Sequence, residues 1–310
     1  MRSSIAIREV GPREGLQSDP TILDTATKVR LLEMLLAAGV RSVNAVSFVH
    51  PRVMPQMADA EEVLESLGPR PQIISALAPN AKALDRAVAM KRRGLLDEVH
   101  FVHATTRAVL EANGISMPLD DHLEHVLGMA RRATAEGLRT VVFVSAAFGC
   151  SVEGRVDPSV VVELSRRLVE QAEVADVAIS DSTGQADPGQ VDEMLGLLAP
   201  VFGSHPMTLH LHDSRGAGMA NVLAAVRSSV PDLTLDTSFG GLGGDVPFLP
   251  EAAGNVATED VCEMLHGMGI ATGIDVPGVI AVSRLLHEAT GRLILSRVFT
   301  VGPVRWKAVR

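Results

Sequence analysis

Apolar residues along this chain fall into two alternating rhythms. Short runs rich in Val, Ile and Leu read as strands at 5–9, 42–45, 72–76, 98–102, 140–145, 176–180, 208–212 and 234–238. Between them, apolar positions recur every three or four residues, as Val29, Leu32, Leu35 and Leu36 do within 25–38. That spacing predicts helices with one buried face. The other helical stretches are 81–93, 119–136, 158–172, 188–198, 216–228 and 258–267.

Eight strand-then-helix units with no Pro/Gly/Ser-rich linker predict an α/β chain forming a single domain over 1–310. A (β/α)8 TIM barrel fits better than an open doubly wound sheet. The loop after the first strand, Gly11-Pro12-Arg13-Glu14-Gly15, has the wrong spacing for a dinucleotide fingerprint and carries charge. A further helical stretch at 277–290 and a tail containing Trp306 make a C-terminal extension from about 274. In a barrel, catalytic groups belong at the carboxyl ends of the strands, where the following loops share one face.

Composition then narrows the chemistry. Aromatic residues make up 3% of the chain, with one Trp and no Tyr. The core must therefore be aliphatic, and no phenol can act as acid or base. The net charge of -9, with Lys91-Arg92-Arg93 as the longest basic run, argues against nucleic acid as a partner. Two cysteines, Cys150 and Cys262, are too few for a disulfide framework or a thiolate zinc site and fit a reducing compartment. No signal-peptide layout precedes the first strand, and no apolar run approaches the roughly 20 residues of a membrane span. A cytoplasmic protein with no membrane partner is expected, as is a homo-oligomer.

The strand ends hold the candidate chemistry. His210 and His212, two apart in Thr208-Leu209-His210-Leu211-His212-Asp213, share a face of strand seven while the leucines turn outward. Such a pair can be polar core, but at a barrel strand's end it more often holds a divalent ion. Arg13 and Glu14 follow strand one, where a solvated loop pair is the plain alternative. The glycines of Phe239-Gly240-Gly241-Leu242-Gly243-Gly244-Asp245 suit a mobile loop or a close backbone approach to a ligand. Asn255, alone, would read as a turn or cap residue. Together, Glu14, His210, His212 and Asn255 offer two imidazoles, a carboxylate and an amide oxygen. That mixed set suits Mg²⁺ or Mn²⁺, although two imidazoles also admit Zn²⁺ or Co²⁺.

The stretches GPREGLQ (11–17), SFVHPRVMPQMAD (47–59), HLHD (210–213), GGLGG (240–244) and GNVATEDV (254–261) resemble the 3-hydroxy-3-methylglutaryl-CoA lyase family. The resemblance runs from about Ile5 to about Gly273. That family sits in a barrel superfamily with isopropylmalate and homocitrate synthases and 4-hydroxy-2-oxovalerate aldolases. It implies a metal-dependent carbon–carbon lyase acting on a small-molecule acyl-CoA. Arg13 would stabilise the enolate oxygen of the departing acyl-CoA. Glu14, in place of the family's Asp, would hold the metal with His210, His212 and Asn255. Asp181 would lie near the substrate's hydroxyl end, and Ser47 and Gln17 would belong to the substrate pocket.

The departures from the family are equally specific. The loop cysteine after the glycines is here Asp245, the candidate replacement acid. A catalytic Glu on strand two corresponds to Asn44, a Tyr on strand five to Phe143, and a basic residue before it to Val141. A substrate lacking the family's distal carboxylate is therefore expected, unless Arg215 replaces the lost cation. Two alternatives stay open: an aldolase or acyltransferase of the same superfamily acting on a 2-oxo acid, and a non-catalytic metal-binding barrel.

Overall fold

The computed structural model describes residues 2–172, 174–244 and 253–304. Its strands are β1 (Ala6–Glu9), β2 (Ser42–Ser47), β3 (Ile73–Leu77), β4 (Glu98–Ala104), β5 (Arg139–Ser145), β6 (Asp176–Asp181), β7 (Met207–Leu211) and β8 (Leu233–Thr237). Each pairs in parallel with its neighbour in sequence, and β8 returns to β1, so the sheet closes into a barrel. The helices are α1 (Thr25–Ala37), α2 (Ala60–Leu67), α3 (Ala81–Arg92), α4 (Arg107–Ala112), α5 (Leu119–Ala135) and α6 (Pro158–Ala172). They continue with α7 (Pro188–Phe202), α8 (Gly218–Arg227), α9 (Thr258–Gly267), α10 (Val276–Thr290) and α11 (Arg297–Val301). Among the described residues, no helix is long and apolar enough to cross a membrane.

The aliphatic core sits between barrel and helices. Outward strand residues such as Leu209, Leu211, Val177 and Ile179 join Leu31, Leu35, Leu195 and Leu198 there. The short helices α2, α4 and α11 were not anticipated, and one helix end was placed too early. The α2 stretch is too short to declare a period, yet Val63, Leu64 and Leu67 bury one face of it. Helix α7 runs past the anticipated stop at 198, carrying Pro200 in its last turn. Pro200 is the third-last residue of the helix, so the hydrogen bond it forgoes belongs to the last turns.

Inside the barrel the packing is partly ionic rather than wholly apolar. Arg8 on β1 is 2% exposed and grips Asp236 on β8 with two bonds, Nε to Oδ1 at 2.8 Å and Nη2 to Oδ2 at 3.1 Å. Its Nη1 reaches Asp176 Oδ2 on β6 at 3.3 Å and Glu98 Oε1 on β4 at 3.7 Å. Thr208 Oγ1 donates to the same Asp176 oxygen at 2.6 Å, and the Arg8 guanidinium stacks 5.3 Å from the Phe143 ring centre. A residue register shift between Asn44 and Val46 on β2 matters for the site above. Asn44 and Ser47, three apart, would face opposite sides of a regular strand; the bulge turns both inward beside Ser75 and Leu77.

The C-terminal segment returns to the carboxyl face. Leu295 N donates to Gly240 O at 3.1 Å, and Ser296 Oγ to Asp260 Oδ1 at 2.7 Å. Arg292 bridges two loops, with Nη1 on Asp19 Oδ2 at 2.9 Å and Nη2 on Gly243 O at 3.2 Å.

Removing the Arg8 charge should test how much the fold depends on it. Arg8→Leu leaves Asp236, Asp176 and Glu98 buried without their cation, and urea unfolding should report a loss of about 3–5 kcal/mol. An unchanged unfolding midpoint would mean that water, not Arg8, solvates these carboxylates.

Candidate active site

The chain leaves β1 through a five-residue π-helical turn, Gly11–Gly15. Such turns insert one extra residue per hydrogen-bonded loop and recur at functional sites. Here the turn projects Arg13 and Glu14 over the barrel mouth. Gly11 is required by closeness: a Cβ there would stand 2.6 Å from Phe239 Cδ1 and 2.8 Å from Glu9 Oε1. The Glu9 carboxylate, pushed up to about 8 by burial, accepts from the amides of Gly11 and Phe239 and so ties the turn to the end of β8. Glu259, pushed up to about 7 by burial, does the same for Gly240 N from α9.

Three ligand-type atoms converge above the mouth. His210 Nε2 and His212 Nε2 lie 3.1 Å apart, and Glu14 Oε1 is 3.4 Å from the first and 3.1 Å from the second. Among the described residues this is the one cluster of at least three His, Cys, Asp or Glu side chains able to hold a metal ion. Asn255 joins it. Residues 254–256 run beside the end of β7, with Asp213 N bonded to Gly254 O at 2.8 Å and Val256 N to Leu211 O at 3.1 Å. Gly254 makes that path feasible, since a Cβ there would meet Leu242 O at 2.4 Å. Asn255 Nδ2 donates to Glu14 Oε1 at 3.1 Å, while its Oδ1 is buried without a hydrogen-bond partner. Turning the amide over would aim that oxygen at the cluster, which only a cation there would reward.

The electrostatics also call for a cation. Burial opposes charge on His210, yet the Glu14 and Asp236 carboxylates outweigh it and raise the imidazole to about 9. Burial would likewise raise Glu14, but His210 and Arg13 hold it well below the usual carboxylate range. Asp236 Oδ2 sits 3.1 Å from His210 Nδ1 and, as an ionised acceptor, selects the tautomer whose Nε2 lone pair points at the cluster. The residues present thus fit a divalent metal: an ionised carboxylate, two converging imidazole nitrogens and an orphaned amide oxygen.

Beside the cluster opens a cavity of about 170 Å³, lined at one end by Arg13, Glu14, His210 and His212. Arg13 is held between two neighbours, its Nε on Asn44 Oδ1 at 2.5 Å and its Nη2 on Glu14 Oε2 at 3.1 Å. Asn44 is itself fixed by Ser75 Oγ at 3.1 Å. Gln17 and Phe143 also line the cavity, Phe143 meeting His210 edge-on at 5.6 Å between centres. Val141 lies deeper, packed with Phe143 and Ala178 inside the barrel.

Not every candidate reaches the cavity. Ser47 is fully buried and its Oγ accepts from Val49 N at 3.2 Å. Asp181 pairs in register with the outward Leu211, whereas Ser180 beside His210 faces in. Its two oxygens accept from Gln185 N at 2.9 Å and Ala186 N at 3.1 Å, so it braces the loop after β6 rather than lining the cavity. Burial raises its pKa, those two amides opposing. Arg215 is exposed and donates Nη1 to Thr183 O at 2.9 Å and Gly184 O at 3.1 Å. Asp245 lies outside the described residues. The sequence reading passed over Asp236 and Arg8, and also Ser145, Ser180 and Ser182 on the cavity wall. A charged or hydroxyl residue at every second position of an otherwise apolar strand was the available signal.

Comparison with known proteins bears on this arrangement directly. A family model described as HMGL-like matches residues 4–286. The chain belongs to that family. It is 34% identical to the (R)-citramalyl-CoA lyase of Chloroflexus aurantiacus over 97% of this chain and 96% of that one. It is 33% identical to the mitochondrial hydroxymethylglutaryl-CoA lyase of Mus musculus, covering 95% of this chain and 88% of the other. Among solved structures, the HMG-CoA lyase of Bacillus subtilis superposes with a TM-score of 0.89 at 30% identity, covering 97% and 99% of the two chains. That of Acinetobacter baumannii, solved with coenzyme A and 3-methylmalate, gives 0.88 at 30% identity, covering 99% and 98%. The HMGL-like chain described here is accordingly a carbon–carbon lyase with the family's (β/α)8 barrel.

If the cluster is the metal site, replacing both His210 and His212 with Ala should abolish uptake of Mn²⁺. Titration calorimetry on the folded variant checks this, and undiminished binding would remove the assignment.

Proposed function

We propose that this HMGL-like chain is a divalent-metal-dependent lyase that cleaves the C2–C3 bond of a 3-hydroxyacyl-CoA. The products are a carbonyl compound from C3 and a shortened acyl-CoA, first released as its enolate. The observation that carries the proposal is the convergence of Glu14, His210 and His212 beside Arg13 at one end of a single cavity. Its relatives named as CoA-thioester lyases, alike over nearly the whole chain, support the same reading.

When bound by Glu14, His210, His212 and Asn255, Mg²⁺ or Mn²⁺ supplies Lewis acidity toward the oxygen on C3. Arg13, braced by Asn44 and Glu14, directs its remaining donors at the thioester oxygen, where negative charge grows as the C2–C3 bond breaks. Gln17, Phe143 and Ser47 shape the substrate end of the pocket, Ser47 acting through the turn it caps. Asp181 serves by fixing the loop after β6. The C3 hydroxyl proton leaves to a base or to solvent as the C2–C3 electron pair moves to C2, and Asp245 is proposed to deliver one proton back to C2, so that no net proton is gained or lost; this requires a carboxyl that stays protonated near neutral pH through desolvation.

The decisive experiment is a panel of 3-hydroxyacyl-CoA thioesters, assayed for shorter acyl-CoA with Mg²⁺ and with Mn²⁺. Turnover of none of them, or turnover only with a 2-oxo acid present, would replace this reading with an aldolase or acyltransferase.

Arg13→Lys should keep the fold and metal uptake but lose most of kcat, because an ammonium lacks the planar fork that bonds Asn44, Glu14 and substrate together. Near-normal kcat in that variant would exclude Arg13 as the enolate's partner. The methylglutaryl thioester should be a poor substrate, about a hundredfold below the best of the panel, since burying a carboxylate without a cation is strongly disfavoured. Val141 and Phe143 supply no charge, and Arg215 is turned to backbone carbonyls instead. A kcat/KM for that thioester equal to the best would show that a cation reaches it.

A further inference from the structure

The cavity has a wall that the reaction as described does not use. Ser145 at the end of β5 and Ser180 and Ser182 at and beyond the end of β6 line it together. Leu77, Val102 and Val109, from β3, the adjacent β4 and α4, also line it. Strand alternation explains the grouping: Val141, Phe143 and Ser145 face inward on β5, and Ala178 and Ser180 do so on β6.

The hydroxyls are held, not loose. Ser145 Oγ and Ser182 Oγ lie 2.8 Å apart, and Ser182 Oγ accepts from Ala146 N at 3.2 Å. Ala146 is the one non-glycine among the described residues with positive φ, at 56°. That conformation is unfavourable for an L-residue and persists only where the surroundings enforce it, most often at functional sites. Here Ser182 holds its amide and Thr105 Oγ1 its carbonyl, the latter at 2.7 Å. The facing loop is braced from two sides, by Asp181 on the amides of Gln185 and Ala186 and by Arg215 on the carbonyls of Thr183 and Gly184.

Proton counting gives the wall its chemistry. A hydroxyl has one proton and two lone pairs. If Ser145 donates to Ser182, both acceptor positions of Ser182 are filled and its proton turns toward the cavity. If Ser182 donates instead, the Ser145 proton is the free one. Either way the pair keeps one donor for a ligand, and Ser180 adds another hydroxyl. The wall therefore seeks an acceptor oxygen. It offers no positive charge: Arg13 is the one Lys or Arg lining the cavity among the described residues, and it stands at the metal end beside Glu14.

We propose that Ser145, Ser180 and Ser182, with Ser180 directly beside His210, form the subsite for the end of a short acyl chain carried on C3, and that this end carries an uncharged oxygen acceptor, a hydroxyl or a carbonyl. The inference rests on the acyl-CoA lyase reading and specifies its substrate class. An apolar chain end would displace water from the free hydroxyl proton without replacing its bond, and a carboxylate would be placed there without a cation.

Three 3-hydroxyacyl-CoA thioesters of one chain length, ending in methyl, hydroxymethyl or carboxylate, test the subsite. Wild type should favour the hydroxymethyl end over the methyl end by about tenfold or more in kcat/KM, the effect of one to two neutral hydrogen bonds. In Ser145→Ala and in Ser180→Ala that ratio should fall toward one. Ser180→Ala leaves the Ser145–Ser182–Ala146 bonding intact, so a misfolded Ser145 variant would not decide the matter. Cleavage with a wild-type preference for the carboxylate, or with a ratio unmoved in both variants, overturns the subsite alone. Cleavage of none of the three overturns the lyase reading and the subsite with it.

Discussion

The guanidinium of Arg8 is the interaction on which the interior of this barrel depends. Three carboxylates from β4, β6 and β8 are buried inside the barrel, and one cation on β1 neutralises much of their charge. Barrel interiors are ordinarily filled with branched aliphatic layers. An ionic layer is costlier to desolvate and gains its worth from geometry: a bidentate Arg–Asp pair admits few alternative positions. Because Asp236 is fixed from below by Arg8, it can fix His210 from below in turn. The orientation of one metal-type ligand is thus set two residues away, on a different strand.

Above that layer the excess of carboxylate persists. Glu14 and Asp236 together outweigh the protein's own cations around His210, so the site retains a proton in the absence of anything better. A site of this kind is pre-organised for a divalent ion because binding exchanges that proton for a stronger charge without rearranging the scaffold. The orphaned oxygen of Asn255 is the complementary sign: its hydrogen-bonding capacity is withheld from the protein.

Much of this was legible along the chain, for reasons that differ by residue. The barrel was visible because each strand–helix unit repeats a period change, from two to near four, that local sequence alone encodes. His210 and His212 could be assigned to one face because side-chain alternation on a regular strand is reliable. Asn44 and Ser47 could not, since only the bulge between them brings both inward, and a bulge leaves no mark in hydropathy. Asp181 and Ser180 show the opposite difficulty. The adjacent acid was placed near the substrate by the family resemblance, but the register beside Leu211 turns it to the backbone of the next loop and gives the wall to the serine. Arg8, Asp176 and Asp236 were overlooked because charges at strand interiors are commonly read as edge or solvent positions, and their mutual compensation exists only in three dimensions.

Arg292 carries a mechanical implication. One guanidinium holds Asp19, just after the turn bearing Arg13 and Glu14, and also the carbonyl of Gly243 in the glycine loop. Because β8 pairs directly with β1, these two loops are neighbours on one side of the barrel mouth, and the residue linking them belongs to neither, coming from the segment after α10. The C-terminal segment thus acts as a clamp: without the Arg292 fork, the turn bearing Arg13 and Glu14 would lose one of its ties to the glycine loop beside it.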